Sequence, residues 1–140
     1  MTTFAGMLRK IQQFDPIEAA AEAMKGNEKA IIDVNQEQLY DYGIGKDGQE
    51  LPPYSPAYGK IKQKQRGKSI VDIYRKGTLY NEMDLTIEGD TYQIFSKVPY
   101  AQFVVGKRPT IFGLTDEGKR TAWSIIRPDF VMKFKQSTGL

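Results

Sequence analysis

The densest run of chemically active side chains in the sequence is basic. Lys60, Lys62, Lys64, Arg66, Lys68, Arg75 and Lys76 stand against one acid, Asp72, so this window carries +6. The other 13 basic and 16 acidic residues bring the remainder to −3. Cations at this density neutralise phosphates without reading sequence, or meet an acidic protein surface. Tyr54, Tyr58 and Tyr74 lie close by in sequence and offer rings on which bases stack. Three readings of these seven candidate contact residues stand side by side: a nucleic-acid contact, an arm that orders on an acidic neighbouring protein, and a solvated loop.

Other chemistries find little support. The chain has no cysteine and no histidine. That removes thiolate nucleophiles, zinc–sulfur sites, Ser-His-Asp catalysis and the commonest general base. Gly43-Ile44-Gly45-Lys46-Asp47-Gly48 matches the G-x-G-x-x-G of dinucleotide sites. It runs into Gln49-Glu50-Leu51-Pro52-Pro53, whereas a phosphate-binding loop must open a helix, so it reads as a turn. Glu117-Gly118-Lys119 resembles the E-x-K half of a metal-dependent nuclease site, with Asp90 as a distant carboxylate. Those nucleases carry the pattern on a strand, and here it opens a helix, where acids in the first turn are favoured by the dipole. The chain is therefore read as non-enzymatic, with no catalytic residue, cofactor or metal assigned.

The elements that must position these residues follow from periodicity. Phe4, Met7, Leu8, Ile11 and Phe14 recur at three- and four-residue spacing and predict a helix with one apolar face. Asp15 before Pro16 predicts a second helix, with Asp15 as N-cap and Pro16 at the first helical position. Gly26-Asn27 interrupts it, and helix resumes over residues 28–40. Glycine and proline then crowd residues 42–59, and the prolines of Leu51-Pro52-Pro53-Tyr54-Ser55-Pro56 predict an extended chain. Lys60, Lys62, Lys64, Arg66 and Lys68 all fall at even positions, which in an extended chain lines them along one edge. Gly67 and its polar neighbours complete the expectation of a flexible, extended loop.

Met83, Leu85 and Ile87 alternate with polar residues and predict a strand. Gly89-Asp90 makes a two-residue hairpin turn, and residues 91–96 return. Residues 100–105 are expected as a third strand. Thr115 is a natural N-cap for a C-terminal helix whose apolar face holds Ala122, Trp123, Ile125 and Ile126. Pro128 is expected to kink or end that helix, and residues 136–140 read as a frayed tail. Trp123, Ile126 and Phe130 are assigned to the core. Tyr92, Phe95, Tyr100 and Phe103 are read as strand residues, in the core or at a subunit interface.

The chain has 140 residues, 40% hydrophobic and 26% charged, enough for one domain with a modest core. No run reaches the roughly 20 apolar residues of a membrane span. The first residues lack the basic-then-apolar order of a signal peptide, so the expected place is the cytosol of the producing cell, with no membrane partner. The layout predicts a single α+β domain, 1–140: N-terminal helices in 1–41, a long extended Gly/Pro-rich and basic loop in 42–76, and a small antiparallel sheet with a C-terminal helix in 77–135.

Three stretches in order resemble a known family. Gly77-Thr78-Leu79-Tyr80-Asn81-Glu82-Met83 is similar to the TG-x-L-x-x-S/M segment that leads into the first strand of phage virion morphogenesis proteins. Tyr92-Gln93-Ile94-Phe95-Ser96-Lys97-Val98-Pro99-Tyr100-Ala101 resembles their strand ending in a small loop and a Tyr-Ala pair. Ile111-Phe112-Gly113-Leu114-Thr115-Asp116-Glu117 resembles the F-x-G-L-S/T-x-E that opens their C-terminal helix. The likeness is to Mu-type and related tail-completion, or neck, proteins. It spans about residues 77–130, with a weaker echo in the first helix and in Leu51-Pro52-Pro53-Tyr54. Lys76 stands where the family usually has threonine, and Gly106-Lys107-Arg108-Pro109 matches only loosely. The resemblance implies a structural subunit in a sixfold ring of its own copies, placed at the head–tail junction of the virion and assembled in the host cytoplasm. Its implied neighbours are connector, stopper, tail terminator or tail tube proteins. Non-specific DNA contact is the alternative role for the 60–76 arm.

Overall fold

A computed structural model describes residues 3–66, 71–74 and 77–140, Gln65 and Arg66 by backbone alone. Three helices open the chain: α1 (Phe4–Gln13), α2 (Pro16–Lys25) and α3 (Glu28–Glu37), the last widening into a π-helical turn, Gln38–Tyr42. Each of the first two starts on a side-chain cap. Thr3 Oγ1 accepts from the Gly6 N–H at 3.0 Å, and Asp15 Oδ1 accepts from the N–H groups of Ile17 and Glu18 at 3.0 and 3.1 Å. These bonds satisfy donors that have no partner inside the helix. α4 (Pro56–Arg66) and the one-turn α5 (Thr78–Asn81) follow. The hairpin strands are β1 (Met83–Glu88) and β2 (Thr91–Ser96), antiparallel, with Glu88 opposite Thr91 across the Gly89-Asp90 turn. Then come α6 (Ala101–Lys107) and α7 (Asp116–Thr138). The class is α+β, with helices at both ends and a small antiparallel sheet between them.

The third strand does not form. Residues 101–107 are α6, because Ala101, Val104 and Val105 recur at helical spacing; Ala101 is buried and the valines half-buried. Tyr100 and Phe103 therefore leave the sheet and stand exposed. α7 runs through Pro128 to Thr138. Proline removes the N–H that would bond the Ser124 carbonyl, but Ser124 and Pro128 lie on the exposed side, where water can take that carbonyl. The tail is not frayed either. Thr138 is 1% exposed, and its Oγ1 donates to the Phe134 carbonyl at 2.6 Å. The reason is α1: Phe14 packs edge-on against Phe130 and Phe134, with centroids 5.9 and 5.1 Å apart. Lys133 pairs with Glu22 at 2.7 Å, tying α7 to α2, and this contact holds the Glu22 carboxyl below the usual carboxylate range. Trp123 does not join the core as expected: it is 44% exposed, its ring edge-on to Phe130, while Ile126 is buried.

Two apolar clusters make the interior. One joins α2, α3, the hairpin and α7 through Ala23, Ile31, Leu85, Ile94 and Ile126. The other gathers Leu39, Leu51, Leu79, Val98 and Ile111. Phe112 packs against both. The segment between them is held by two side-chain amides. Asn35, fully buried, donates through Nδ2 to the Ile111 carbonyl and accepts at Oδ1 from the Gly113 N–H, both at 2.9 Å. Gln38 donates through Nε2 to the Gly113 carbonyl and accepts at Oε1 from the Thr115 N–H, again at 2.9 Å. Gly113 has φ +138 and the Lys46 side chain against it, a backbone angle only glycine adopts without strain. Replacing Asn35 by Leu keeps the branching but leaves a buried carbonyl and a half-buried N–H unbonded, and should cost about 2–5 kcal/mol. Urea unfolding checks this. A loss under about 0.5 kcal/mol would mean that the amide contributes shape alone.

Candidate functional site

The basic segment is not the extended edge that its even spacing predicts. α4 begins at Pro56, the last of the prolines that predict an extended chain. Ser55 and Pro56 occupy the N-cap and first helical positions, the Ser55 carbonyl accepts from the Gly59 N–H at 2.8 Å, and Ser55 Oγ lies 3.4 Å from the Tyr58 N–H. Proline fits that position because its missing donor would have no partner there anyway. In a helix each residue turns about 100°, so Lys60 and Lys64 share a face and Lys62 points to the opposite one. Lys60 and Lys64 are exposed; Lys62 is 2% exposed. Arg66 ends the helix, its side chain outside the described atoms. Lys68, Arg75 and Lys76 lie outside the described residues.

Lys62 anchors the helix. Its Nζ lies 2.9 Å from Asp72 Oδ1, with both side chains removed from solvent, and it donates to the Tyr74 carbonyl. The same carboxylate oxygen accepts from the Tyr74 N–H at 2.9 Å and lies 3.3 Å from the Tyr54 hydroxyl. That hydroxyl accepts from the Ile73 N–H at 3.0 Å, and Tyr80 donates its hydroxyl proton to the Asp72 carbonyl. These bonds hold Ile73 at φ +58, an unusual backbone angle for a β-branched residue. The one acid of the basic window is thus an internal counter-ion. Sequence spacing did not reveal this, because the two residues meet only after the chain turns back.

Aromatic rings surround the anchor. Tyr40, Tyr74 and Tyr80 form a triangle of edge-to-face contacts at 5.2 to 6.4 Å. Tyr54 meets Tyr58 at 4.8 Å. The Arg108 guanidinium lies 5.2 Å from the Tyr54 centroid and donates to the carbonyls of Pro52 and Pro53, both at 3.2 Å. Gly77 passes so close that a Cβ there would lie 2.9 Å from the Tyr74 hydroxyl oxygen. Burial pushes the Tyr54 phenol up to about 12. The tyrosines are therefore largely engaged with one another, and bases would have to stack on what remains exposed.

The other candidate chemistry stays dispersed. Residues 43–50 form a turn closed by an Ile44–Glu50 bridge, with no helix after it. Glu117 and Lys119 are exposed in the first turn of α7. Among the described residues no group of three or more acidic side chains comes together to hold a metal ion. No helix among them is long and apolar enough to cross a membrane. Protein-family models, curated proteins and solved structures give no match for the chain.

Two measurements test the anchor. Lys62→Met removes a buried ammonium that pairs with Asp72 and bonds the Tyr74 carbonyl, and should cost about 3–5 kcal/mol. Lys64→Met, on the exposed face, should stay within about 0.5 kcal/mol. Equal losses in urea would show that Lys62 is not an internal partner. The raised Tyr54 phenol sets an alkaline limit. The folded state keeps the proton longer than the unfolded chain, whose phenol titrates near 10. This contribution is complete below about pH 10 and is lost as pH rises towards about 12. Stability followed through that window should fall more steeply for the wild type than for Tyr54→Phe; parallel curves would exclude the effect.

Proposed function

We propose that the chain is a structural subunit of a tailed-phage neck, a ring component that joins the head connector to the tail. The order and spacing of the three resembling stretches suggest the family. The observation that carries the reading is α1. Its apolar face is real, yet no residue of the helix is buried: Phe4 is 84% and Leu8 58% exposed. Met7 and Phe14 on one flank of the stripe are partly covered, and Phe4 and Leu8 on the other are left to water. Exposed apolar stripes of this kind are covered by a partner in proteins that assemble. Tyr100 and Phe103, on and just before α6, add a second uncovered surface, as a head-to-tail ring contact requires two different patches.

Non-specific DNA contact is the second reading, favoured by Lys60 and Lys64 on one exposed face of α4. It requires binding that weakens steeply with salt as counter-ions are released. Salt-insensitive or absent binding removes it.

Gold-labelled antibody on purified particles should mark the head–tail junction. Unlabelled particles, with accessible epitopes verified, would overturn the neck reading. Phe4→Asp with Leu8→Asp should leave subunit stability within about 0.5 kcal/mol while blocking incorporation into particles. Normal incorporation would exclude α1 as the assembly face.

A further inference from the structure

α6 turns one face away from the core. Tyr100 at its N-cap, Phe103 and Lys107 follow at three- and four-residue spacing and share that face. All three are exposed, Phe103 to 68%. They line a groove of about 630 Å³, a size suited to a small organic ligand. Tyr54 and Tyr58, from the start of α4 and the chain before it, line it as well, so four aromatic rings meet one cavity. Tyr54 and Tyr58 are fixed edge-to-face against each other; Phe103 is left to water.

Charge in this groove has one sign. Its charged lining residues are Lys107 and Arg108, with no acid among them. Arg108 is held in place by neutral groups. Its Nε and Nη2 donate to the Pro52 and Pro53 carbonyls, and the guanidinium lies over the Tyr54 ring. Those bonds use one edge of the guanidinium. The end edge, with an N–H on each terminal nitrogen, bonds no described residue, and neither Arg108 nor Lys107 pairs with a described carboxylate. A half-buried guanidinium with only neutral partners keeps its charge for an incoming anion, and two parallel N–H groups suit two oxygens of that anion.

We propose that this groove binds a nucleotide, with its base against Phe103 and its phosphate against Arg108 and Lys107. Exposed rings beside cations hold bases and phosphates together without reading sequence. Phe103 and Lys107 are four residues, about 6 Å, apart along α6, the room a sugar takes between base and phosphate. The nucleotide is either a free mononucleotide or part of a single strand, since the bases of a duplex are already stacked. The proposal rests on the groove and not on the neck reading. A neighbour that covers Tyr100 and Phe103 in the proposed ring competes with the nucleotide for it.

The test titrates adenosine 5′-monophosphate and a short oligodeoxyadenylate into the full chain, followed by NMR. The ring signals of Tyr100 and Phe103 and the side-chain signal of Arg108 should shift. The monophosphate should bind at least about fivefold more tightly than adenosine, and at least about fivefold more tightly than ribose 5-phosphate. Phe103→Ala should weaken it at least about fivefold and leave ribose 5-phosphate unchanged. Lys107→Gln should weaken it about two- to fivefold and leave adenosine unchanged. Both substitutions are at exposed positions, so folding is not at stake. Lys60→Gln with Lys64→Gln should leave it within about twofold; a loss as large as that of Phe103→Ala would move the site to α4 and overturn the proposal. An oligonucleotide that binds more tightly than the monophosphate and displaces it assigns the groove to a single strand, and the reverse order to a free nucleotide. The proposal is overturned if the rings do not shift at millimolar monophosphate, or if ribose 5-phosphate binds as well as the nucleotide, which would mean an adventitious anion only. A Glu-Tyr-Glu peptide that displaces the monophosphate and binds more tightly would also overturn it, because the groove would then serve a protein partner.

Discussion

Two side-chain amides on one turn of helix hold the fold together. Asn35 and Gln38 bond four backbone groups between Ile111 and Thr115, more than 70 residues away in sequence. This segment crosses the interior between the two apolar clusters, where an unbonded peptide group would be costly. The amides replace the partners that a strand or helix would have provided. They also place Thr115, whose hydroxyl caps α7 by accepting from the Gly118 N–H at 3.0 Å. The longest helix thus starts from a point chosen by α3. Gln38 begins the π-helical turn, and within that widening Leu39 is buried while Tyr40 reaches the rings of Tyr74 and Tyr80.

Local signals in the sequence were reliable where a single residue type carried the physics. Asp15-Pro16, the Gly89-Asp90 turn and Thr115 each place an element boundary through capping hydrogen bonds or a backbone angle. Ser55-Pro56 is the same kind of signal as Asp15-Pro16, yet the neighbouring prolines and glycines hid it, and α4 read as loop. The even spacing of the lysines then carried the wrong geometry, since period two means one edge only in an extended chain. Residues 100–105 failed for another reason. A short apolar run suits a strand or a buried helix face equally, and packing against residues distant in sequence decided between them. Neither the Lys62–Asp72 pair nor the amide clamp was legible, because each joins parts of the chain that no local pattern relates.

Interior and exterior follow different rules in this molecule. Inside, polar groups are matched, and among the described residues no buried side-chain nitrogen or oxygen lacks a partner. Outside, apolar side chains stand open on α1 and on α6. In the proposed ring, the two would meet different neighbours. α4 belongs to neither regime. The residue it buries among those described is a lysine, so its docking joins an ion pair and a carbonyl bond to the Tyr54–Tyr58 ring contact. A helix attached through an apolar stripe can slide by small steps; one attached through Lys62 has a single seat.

The exposed indole of Trp123 has an optical consequence. It is the only tryptophan in the chain, and its ring touches Phe130, which in turn touches Phe14 at the end of α1. The tryptophan emission of the folded protein therefore comes from one indole on one edge of α7. Lifting α1 or covering that edge would alter the polarity around it. The native chain thus carries a fluorescent label at the junction of its first and last helices, with no dye needed.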